Sequence, residues 1–323
     1  MGTIGSRTVK SWILITGCVV ALAASVCGQF ALGQQLHSGY PYVPAAYSID
    51  GQLVLFPVTG RKEAEVSLPV HSGGYHISPD GKTLYTTSGA NPIQLLESRM
   101  HGLFKIRFHP TDMAAVPGSN SFRAFASVAI SQRQDRAVVA GQHQDGGKVV
   151  CGVFDLSLSN GDVSEILQTQ DCNDAMTRTD ISLSPDSRYA VAIHKRSLEL
   201  IDMANGKSRD LGDGFFKAAW APDGRWIAAV RFPGMEAKMV LFDARTLTEK
   251  KMFANSTVLK VSWSPDSHFL LARTLEVGCD PDEYTYEAFD VETGKASIIE
   301  SSRCKVHGSY DDLGWVDRAI ATQ

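Results

Sequence analysis

One short stretch, Trp220-Ala221-Pro222-Asp223-Gly224 followed by Trp226-Ile227, decides the fold because it joins two apolar strands by a tight turn. Proline presets the backbone of such a turn, aspartate hydrogen-bonds to nearby amides, and glycine supplies a positive φ. The same order of strand, turn and strand recurs along the chain. Clear copies surround Ser78-Pro79-Asp80, Ser184-Pro185-Asp186 and Ser264-Pro265-Asp266, and weaker copies run over 129–140 and 313–322. Each copy predicts one antiparallel hairpin.

A second type of hairpin alternates with the first and contains apolar residues that end in an aspartate. Its clear copies begin with Cys151–Asp155, Leu198–Asp202, Met239–Asp243 and Tyr286–Asp290, with looser copies at Leu53–Pro57 and over 93–108. The aspartates of the first type of hairpin follow one another at steps of 55, 51, 37, 43 and 51 residues. Each step therefore holds four strands, which is the length of one blade of a β-propeller.

The two ends of the repeat predict how the propeller closes. The repeat begins with a hairpin of the second type at 52–69 and ends with one of the first type at 310–323. If the segment 310–323 pairs with the strand at 52–58, both ends share one blade and no sheet edge is left exposed. We therefore predict an all-β fold, a six-bladed β-propeller of four-stranded antiparallel blades, in which Trp315 packs between the last blade and its neighbour.

These turns and hairpins resemble a known family. The Ser78–Gly81 type of turn and the Phe242-Asp243 type of hairpin resemble the WD40-like (PD40) repeats of TolB-like six-bladed propellers. The resemblance covers about residues 45–323. It implies a propeller fold, and the chain departs from TolB in that no separate N-terminal α/β domain precedes the repeats.

The start of the chain has the features of a signal peptide. Arg7 and Lys10 precede an apolar run from Trp12 to Cys27, and Ala31-Leu32-Gly33 fits a signal peptidase site. We predict cleavage after Gly33 and a periplasmic or secreted bacterial protein.

The expected division of the chain is a signal peptide at 1–33, a short linker at 34–44 and the propeller at 45–323. Two alternatives stay open for the leader. It could carry a lipid on Cys18 or Cys27, or it could remain uncleaved as a membrane anchor. No membrane span is expected in the mature chain, which we expect to be a monomer.

Four cysteines follow the leader, and the repeat favours one of their three possible pairings. Cys151 and Cys172 bracket one hairpin, while Cys279 and Cys304 bracket the equivalent hairpin of another blade. We predict the disulfides Cys151–Cys172 and Cys279–Cys304, as an oxidising compartment allows. A metal site is the alternative, although the spacing includes no close pair of cysteines.

The candidate site follows from the first strand of each blade, which lines the channel in propellers of this type. Side chains alternate across a strand, so one face meets the channel while the other packs between blades. Aligning the repeats on their turns gives an apolar face and a polar one. The polar face contains the channel-mouth candidates Asp180, Lys217, Lys260 and Asp312, with His76 one step deeper. They either form a binding site or only pair with one another.

Composition and motifs restrict the function. The 323 residues carry a formal net charge of −4, whereas nucleic-acid-binding proteins usually have a basic excess. The sequence contains no Gly-x-Ser-x-Gly elbow, phosphate loop, dinucleotide fingerprint or His-Glu-x-x-His motif. We therefore expect no nucleic-acid partner, no cofactor, no metal and no catalytic residue.

The resemblance and the missing motifs together favour an exported, non-catalytic propeller that binds a protein or peptide partner in the cell envelope. Two alternatives act at the same channel mouth. One is a propeller hydrolase, lactonase or lyase, and the other is a binder of a small ligand or carbohydrate.

Overall fold

Most of the residues that the structure describes lie in β-strands, as the repeats predict. The computed structural model describes residues 40–48, 52–55, 64–67, 74–88, 102–107, 112–169, 171–232, 237–253, 257–275, 284–301 and 310–321. The predicted leader, most of the predicted linker, Cys279 and Cys304 lie outside these residues. None of the helices in the described ranges is long and apolar enough to cross a membrane.

Within those ranges the strands form six four-stranded antiparallel sheets, which we label A to F. Sheet A consists, in spatial order, of β24 (Tyr310–Asp317), β1 (Tyr42–Ser48), β2 (Gln52–Leu55) and β3 (Ala64–Ser67). Sheet B consists of β4 (Gly74–Ile77), β5 (Thr83–Ser88), β6 (Gly102–Arg107) and β7 (Asp112–Ala115). Sheet C consists of β8 (Phe122–Ile130), β9 (Arg136–Asp145), β10 (Lys148–Ser157) and β11 (Val163–Thr169).

The remaining three sheets follow the same order along the chain. Sheet D consists of β12 (Arg178–Leu183), β13 (Tyr189–His194), β14 (Ser197–Asp202) and β15 (Ser208–Asp213). Sheet E consists of β16 (Phe215–Trp220), β17 (Trp226–Arg231), β18 (Lys238–Asp243) and β19 (Thr248–Phe253). Sheet F consists of β20 (Thr257–Trp263), β21 (Phe269–Leu275), β22 (Tyr284–Asp290) and β23 (Ala296–Ser301). A 3-10 turn (Ser119–Ser121) and the short helices α1 (Cys172–Met176) and α2 (Arg318–Ala321) complete the described elements.

The first strands of the sheets make contact in a closed cycle. β24 contacts β4, β4 contacts β8, and the cycle continues through β12, β16 and β20 back to β24. Apolar clusters fill the spaces between neighbouring sheets, for example around Leu241 and Trp263 between sheets E and F. This is the arrangement of a β-propeller, so the predicted all-β propeller with four-stranded antiparallel blades is confirmed.

The Ser-Pro-Asp turns owe their shape to a buried serine. In sheet D the Ser184 hydroxyl donates to Asp186 Oδ1 over 2.7 Å and accepts the backbone N–H of Tyr189 over 3.0 Å. The carboxylate in turn accepts the backbone N–H of Arg188 over 3.1 Å. The bond from Ser184 holds the pKa of Asp186 below its usual value. Serine therefore joins the two strands of the hairpin, while aspartate orders the turn between them.

The propeller closes through a different strand from the one predicted. β24 pairs with β1, placing Val316 opposite Val43 and Gly314 opposite Ala45, and not with the strand at 52–58. β2 lies one strand further out. The pattern missed β1 because Pro44 and two neighbouring alanines hide the alternation of apolar residues that marks a strand.

The end of the chain also differs from the prediction, which placed a second strand in the copy at 313–322. The single strand β24 is followed by α2. Asp317 Oδ1 accepts the backbone N–H of Ala319 over 2.9 Å and so caps the start of this short helix.

Candidate functional site

The centre of the propeller contains a cavity of about 990 Å³. It is bordered by the first strand of each sheet and, in five sheets, by the turn that follows. The turns contribute Pro79, Gln132, Pro185, Pro222 and Pro265. The cavity therefore runs along the first strands, from their starts to their ends.

Four of the five candidates from the sequence line this cavity, namely His76, Asp180, Lys217 and Lys260. The fifth, Asp312, belongs to β24, and its side chain lies outside the described residues. The Lys217 ammonium and the Asp180 carboxylate form a direct ion pair between sheets D and E. Both side chains are about one fifth to one quarter exposed, at 20% and 24%, so the pair is in contact with the channel.

An irregularity in β12 positions Asp180. The pairing of β12 with β13 shifts register between Thr179 and Ser182, and Asp180 has a φ of 52°. Aspartate tolerates this left-handed conformation better than most residues, and a bulge re-aims the side chains around it. The sequence placed Asp180 on the channel face by simple alternation, but the bulge sets its orientation toward Lys217.

Two of the small polar residues on the channel face connect neighbouring sheets. The Ser127 hydroxyl accepts the backbone N–H of Ile181 over 3.0 Å, and the Ser182 hydroxyl accepts that of Trp220 over 2.8 Å. Two tryptophans do the same from the other face: Trp263 Nε1 donates to the Ala219 carbonyl oxygen over 2.9 Å, and Trp315 Nε1 to that of Ser262 over 3.3 Å. These bonds join the first strands of sheets C, D, E, F and A in succession along the cavity.

The face predicted to be wholly core also contributes to the cavity. Ile77, Leu183, Trp220, Trp263 and Trp315 line it together with the polar residues. Trp315 is only 2% exposed, so most of its ring is packed against protein. The channel is therefore polar where the first strands begin and more apolar toward the Ser-Pro-Asp turns.

The predicted disulfide Cys151–Cys172 is present and joins β10 to α1. These two sulfurs are therefore bonded to each other and do not serve as metal ligands. Among the described residues, no group of three or more His, Cys, Asp and Glu side chains is arranged to hold a metal ion. The second predicted pair, Cys279–Cys304, lies outside the described residues.

A charged network beside this disulfide was missed by the sequence analysis. Asp174 on α1 accepts hydrogen bonds from Lys195 Nζ over 2.5 Å and from His194 Nε2 over 3.0 Å, and lies 3.4 Å from Arg178. The bonds from Lys195 and His194 lower the pKa of Asp174 to about 2. Arg178 Nε also donates to Glu199 Oε2 over 3.0 Å in a buried ion pair. The disulfide thus holds α1 where Asp174 reaches sheet D.

No family model matches the sequence, and no curated protein matches it. The fold nevertheless is similar to solved propellers. TolB from Acinetobacter baumannii has a TM-score of 0.60 and 14% identity over 85% of this chain and 66% of that chain. A putative TolB from Agrobacterium tumefaciens has a TM-score of 0.54 and 13% identity over 81% of this chain and 90% of that one.

A third similar structure is oligogalacturonate lyase in complex with manganese. Its TM-score is 0.55 at 13% identity, over 83% of this chain and 82% of that chain. At such identities the likeness shows the fold alone. The chain is a propeller with a TolB-like fold, and it spans slightly less than two thirds of the Acinetobacter protein.

Proposed function

We propose that the chain is an exported, non-catalytic six-bladed propeller that binds a protein or peptide partner of the cell envelope at the mouth of its channel. The observation that carries the proposal is the ion pair Asp180–Lys217, which lines a cavity of about 990 Å³. A pair in contact with solvent can exchange its partners for the charges or amides of a ligand. Lys260 and His76 border the same cavity, so an extended segment would meet several polar groups at once.

The TolB-like fold and the leader support the envelope as the place of action. First strands that are linked from sheet C to sheet E through Ser127 and Ser182 suit recognition, because loops and channel residues can vary on a fixed scaffold. The disulfide Cys151–Cys172 is in keeping with an oxidising compartment. Residues 1–33 would then be removed on export.

In-cell photo-cross-linking tests the proposal. A photoreactive phenylalanine is placed at Lys260, which lines the channel, and separately at Lys250 on the outermost strand of sheet E. We expect a discrete cross-linked product from the channel position and none from the outer strand. Equal products from both positions, or none from either, would contradict binding at the channel.

A charge exchange then tests the role of the ion pair. Asp180→Lys alone places two ammonium groups together and should remove the cross-link, whereas Asp180→Lys combined with Lys217→Asp restores a pair. We expect the double variant to recover part of the product, because the opposite charges again neutralise each other. Retention of the full product by Asp180→Lys would show that the pair has no part in binding.

A further inference from the structure

The ion pair at the channel mouth is connected to the disulfide through the short helix α1. Cys172, the first residue of α1, is bonded to Cys151 on β10. The helix contacts all four strands of sheet C and also β12, the first strand of sheet D. One residue, Thr177, separates the end of α1 from β12. The disulfide therefore lies close along the chain to Asp180, which belongs to β12.

One route from α1 leads to Asp180. The Arg178 guanidinium, buried at the start of β12, donates to Asp174 on α1 over 3.4 Å. Asp180 follows two positions later, and the N–H of the next residue, Ile181, donates to the Ser127 hydroxyl on β8. Asp180 therefore lies between two anchored residues, and the first of them is bonded to α1.

A second route leads from the same aspartate to Lys217. Asp174 accepts a hydrogen bond over 2.5 Å from Lys195, which together with Arg196 forms the tight turn between β13 and β14. The carbonyl oxygen of Arg196 accepts the N–H of Phe215, the first residue of β16, over 2.8 Å. Lys217 follows two positions later in the same strand. Both partners of the ion pair are therefore connected to Asp174.

The backbone is strained along both routes. Asp180, Lys195 and Arg196 have left-handed φ angles of 52°, 51° and 70°. Such conformations cost energy in residues other than glycine, and they persist only where the surrounding structure imposes them. Register shifts also interrupt the strand pairing of β12 next to Asp180 and of β16 next to Lys217. Once α1 no longer holds them, these segments can relax without disrupting the regular part of either sheet.

The two sulfurs of the disulfide differ in their access to solvent. Cys151 is only 2% exposed, whereas Cys172 on α1 is half-buried. A thiolate of a dithiol reductant can attack Cys172 Sγ, which breaks the bond to Cys151 and releases a thiolate that takes up a proton. The second thiolate of the reductant then displaces Cys172, which is protonated in turn. The reductant is oxidised by two electrons to a disulfide, and the protein is left with two thiols.

We propose that Cys151–Cys172 is a redox-controlled latch of the channel mouth. In the oxidised chain, α1 holds Asp180 against Lys217. Reduction by a dithiol releases α1, and the ion pair opens. The proposal rests on the proposed function, since opening the pair changes the charges that a protein or peptide partner meets at the mouth. The oxidised chain is then the form that binds.

Chemical modification of Lys217 tests the latch without any partner. The purified chain is treated with acetic anhydride before and after reduction by dithiothreitol, and mass spectrometry follows the acetylation. We expect Lys217 to react at least threefold faster after reduction, because an ammonium group without its carboxylate partner loses its proton more easily. Lys251, on the outermost strand of sheet E, donates to the carbonyl oxygens of Val291 and Glu292 and serves as the internal reference. Its rate should not change.

Two variants assign the effect to this disulfide and to this ion pair. Replacing both Cys151 and Cys172 by serine should give fast acetylation of Lys217 with and without dithiothreitol, whereas an effect of any other disulfide would persist in this variant. Asp180→Asn should also give fast acetylation that reduction no longer changes. If the double serine variant does not fold, Asp174→Asn keeps the disulfide but weakens both routes, and it should raise the rate at least twofold in the oxidised protein.

The outcomes separate this proposal from the proposed function. An unchanged rate at Lys217, in protein whose two thiols are shown to be free, would overturn the latch. Equal acceleration of Lys217 and Lys251 would also overturn it, because it would show a general loosening of the fold. The cross-link at Lys260 then measures the consequence for binding, and the double serine variant should give at least twofold less product than the parent. Equal product from both would overturn control of binding, whereas a parent without product would overturn the proposed function and leave the acetylation result standing.

Discussion

Trp315, near the end of the chain, donates its indole N–H to the carbonyl oxygen of Ser262 on the neighbouring sheet over 3.3 Å. The tryptophan belongs to β24, the strand that closes sheet A by pairing with β1. Its ring also lies beside Phe269, with centroids 6.4 Å apart. One side chain thus links the closing blade to sheet F. The predicted packing of Trp315 between the last blade and its neighbour is therefore present.

Removing this side chain should destabilise the closing blade. We expect Trp315→Ala to lower the free energy of unfolding by about 3–5 kcal/mol, because it leaves a large cavity between two sheets. Trp315→Phe, which keeps a ring but loses the indole N–H, should cost clearly less. Urea denaturation of the three proteins measures both differences, and equal stability of Trp315→Ala and the parent would refute the role of this contact.

Truncation tests closure itself. A chain that ends at Ser309 lacks β24 and leaves β1 as an unpaired edge. We expect a lower melting temperature and a single cooperative transition, since each first strand supports its neighbours around the ring. A control chain that ends after α2 should melt like the full protein. If the chain ending at Ser309 melts at the parental temperature, β24 does not close the propeller.

Local patterns of sequence predicted the blades well because each hairpin is stabilised by its own residues. Ser184, Pro185 and Asp186 form their turn through bonds within five positions, so the pattern alone reveals it. β1 could not be recognised in this way, since its strand character depends on β24 at the far end of the chain. Long-range pairing leaves little trace in a short window of sequence.

The candidate site was predictable to the same extent. Alternation along the first strands placed Asp180, Lys217, Lys260 and His76 on the channel, and the structure places all four in its lining. The bulge that turns Asp180 toward Lys217 could not be foreseen, because it arises from the register shift of β12. A single sequence does not reveal where strand pairing slips.

The buried pair Arg178–Glu199 should be costly to break on one side only. Both residues are less than a tenth exposed, at 5% and 7%. Glu199→Leu removes the nearer of the two carboxylates that contact the Arg178 guanidinium, leaving Asp174 Oδ2 at 3.4 Å, and should destabilise the protein by about 3–5 kcal/mol. Combining Arg178→Met with Glu199→Leu removes both charges and should recover much of that loss. A double-mutant cycle by urea denaturation measures the coupling, and additive effects would contradict it.

The lowered pKa of Asp174 predicts a loss of stability in acid. Its folded pKa is about 2, whereas an aspartate in an unfolded chain titrates near 3.9. The stabilisation from Lys195 and His194 is therefore fully present above about pH 4 and is lost as the pH falls toward 2. We expect the stability difference between the parent and Asp174→Asn to shrink over this range. Lys195→Ala, which removes the largest cause, should raise the pKa of Asp174 in a carbon-13 NMR titration; an unchanged pKa would contradict this assignment.

The disulfide Cys151–Cys172 should contribute to stability through the chain segment that it closes. The two cysteines are 21 residues apart, and a cross-link of this span is worth about 3 kcal/mol in the loop-entropy model. It also fixes α1, from which Asp174 reaches Lys195 on sheet D. Replacing both cysteines by serine should therefore lower the free energy of unfolding by at least this amount. It should also weaken the loss of stability in acid that arises from Asp174.

The matched control is the double serine variant of Cys279 and Cys304, which leaves Cys151–Cys172 intact and should preserve that loss of stability in acid. Urea denaturation at pH 2.5 and pH 6 compares the two variants, while non-reducing peptide mapping shows which disulfides form. An acid dependence that survives the loss of Cys151–Cys172 would show that α1 holds its place without the cross-link.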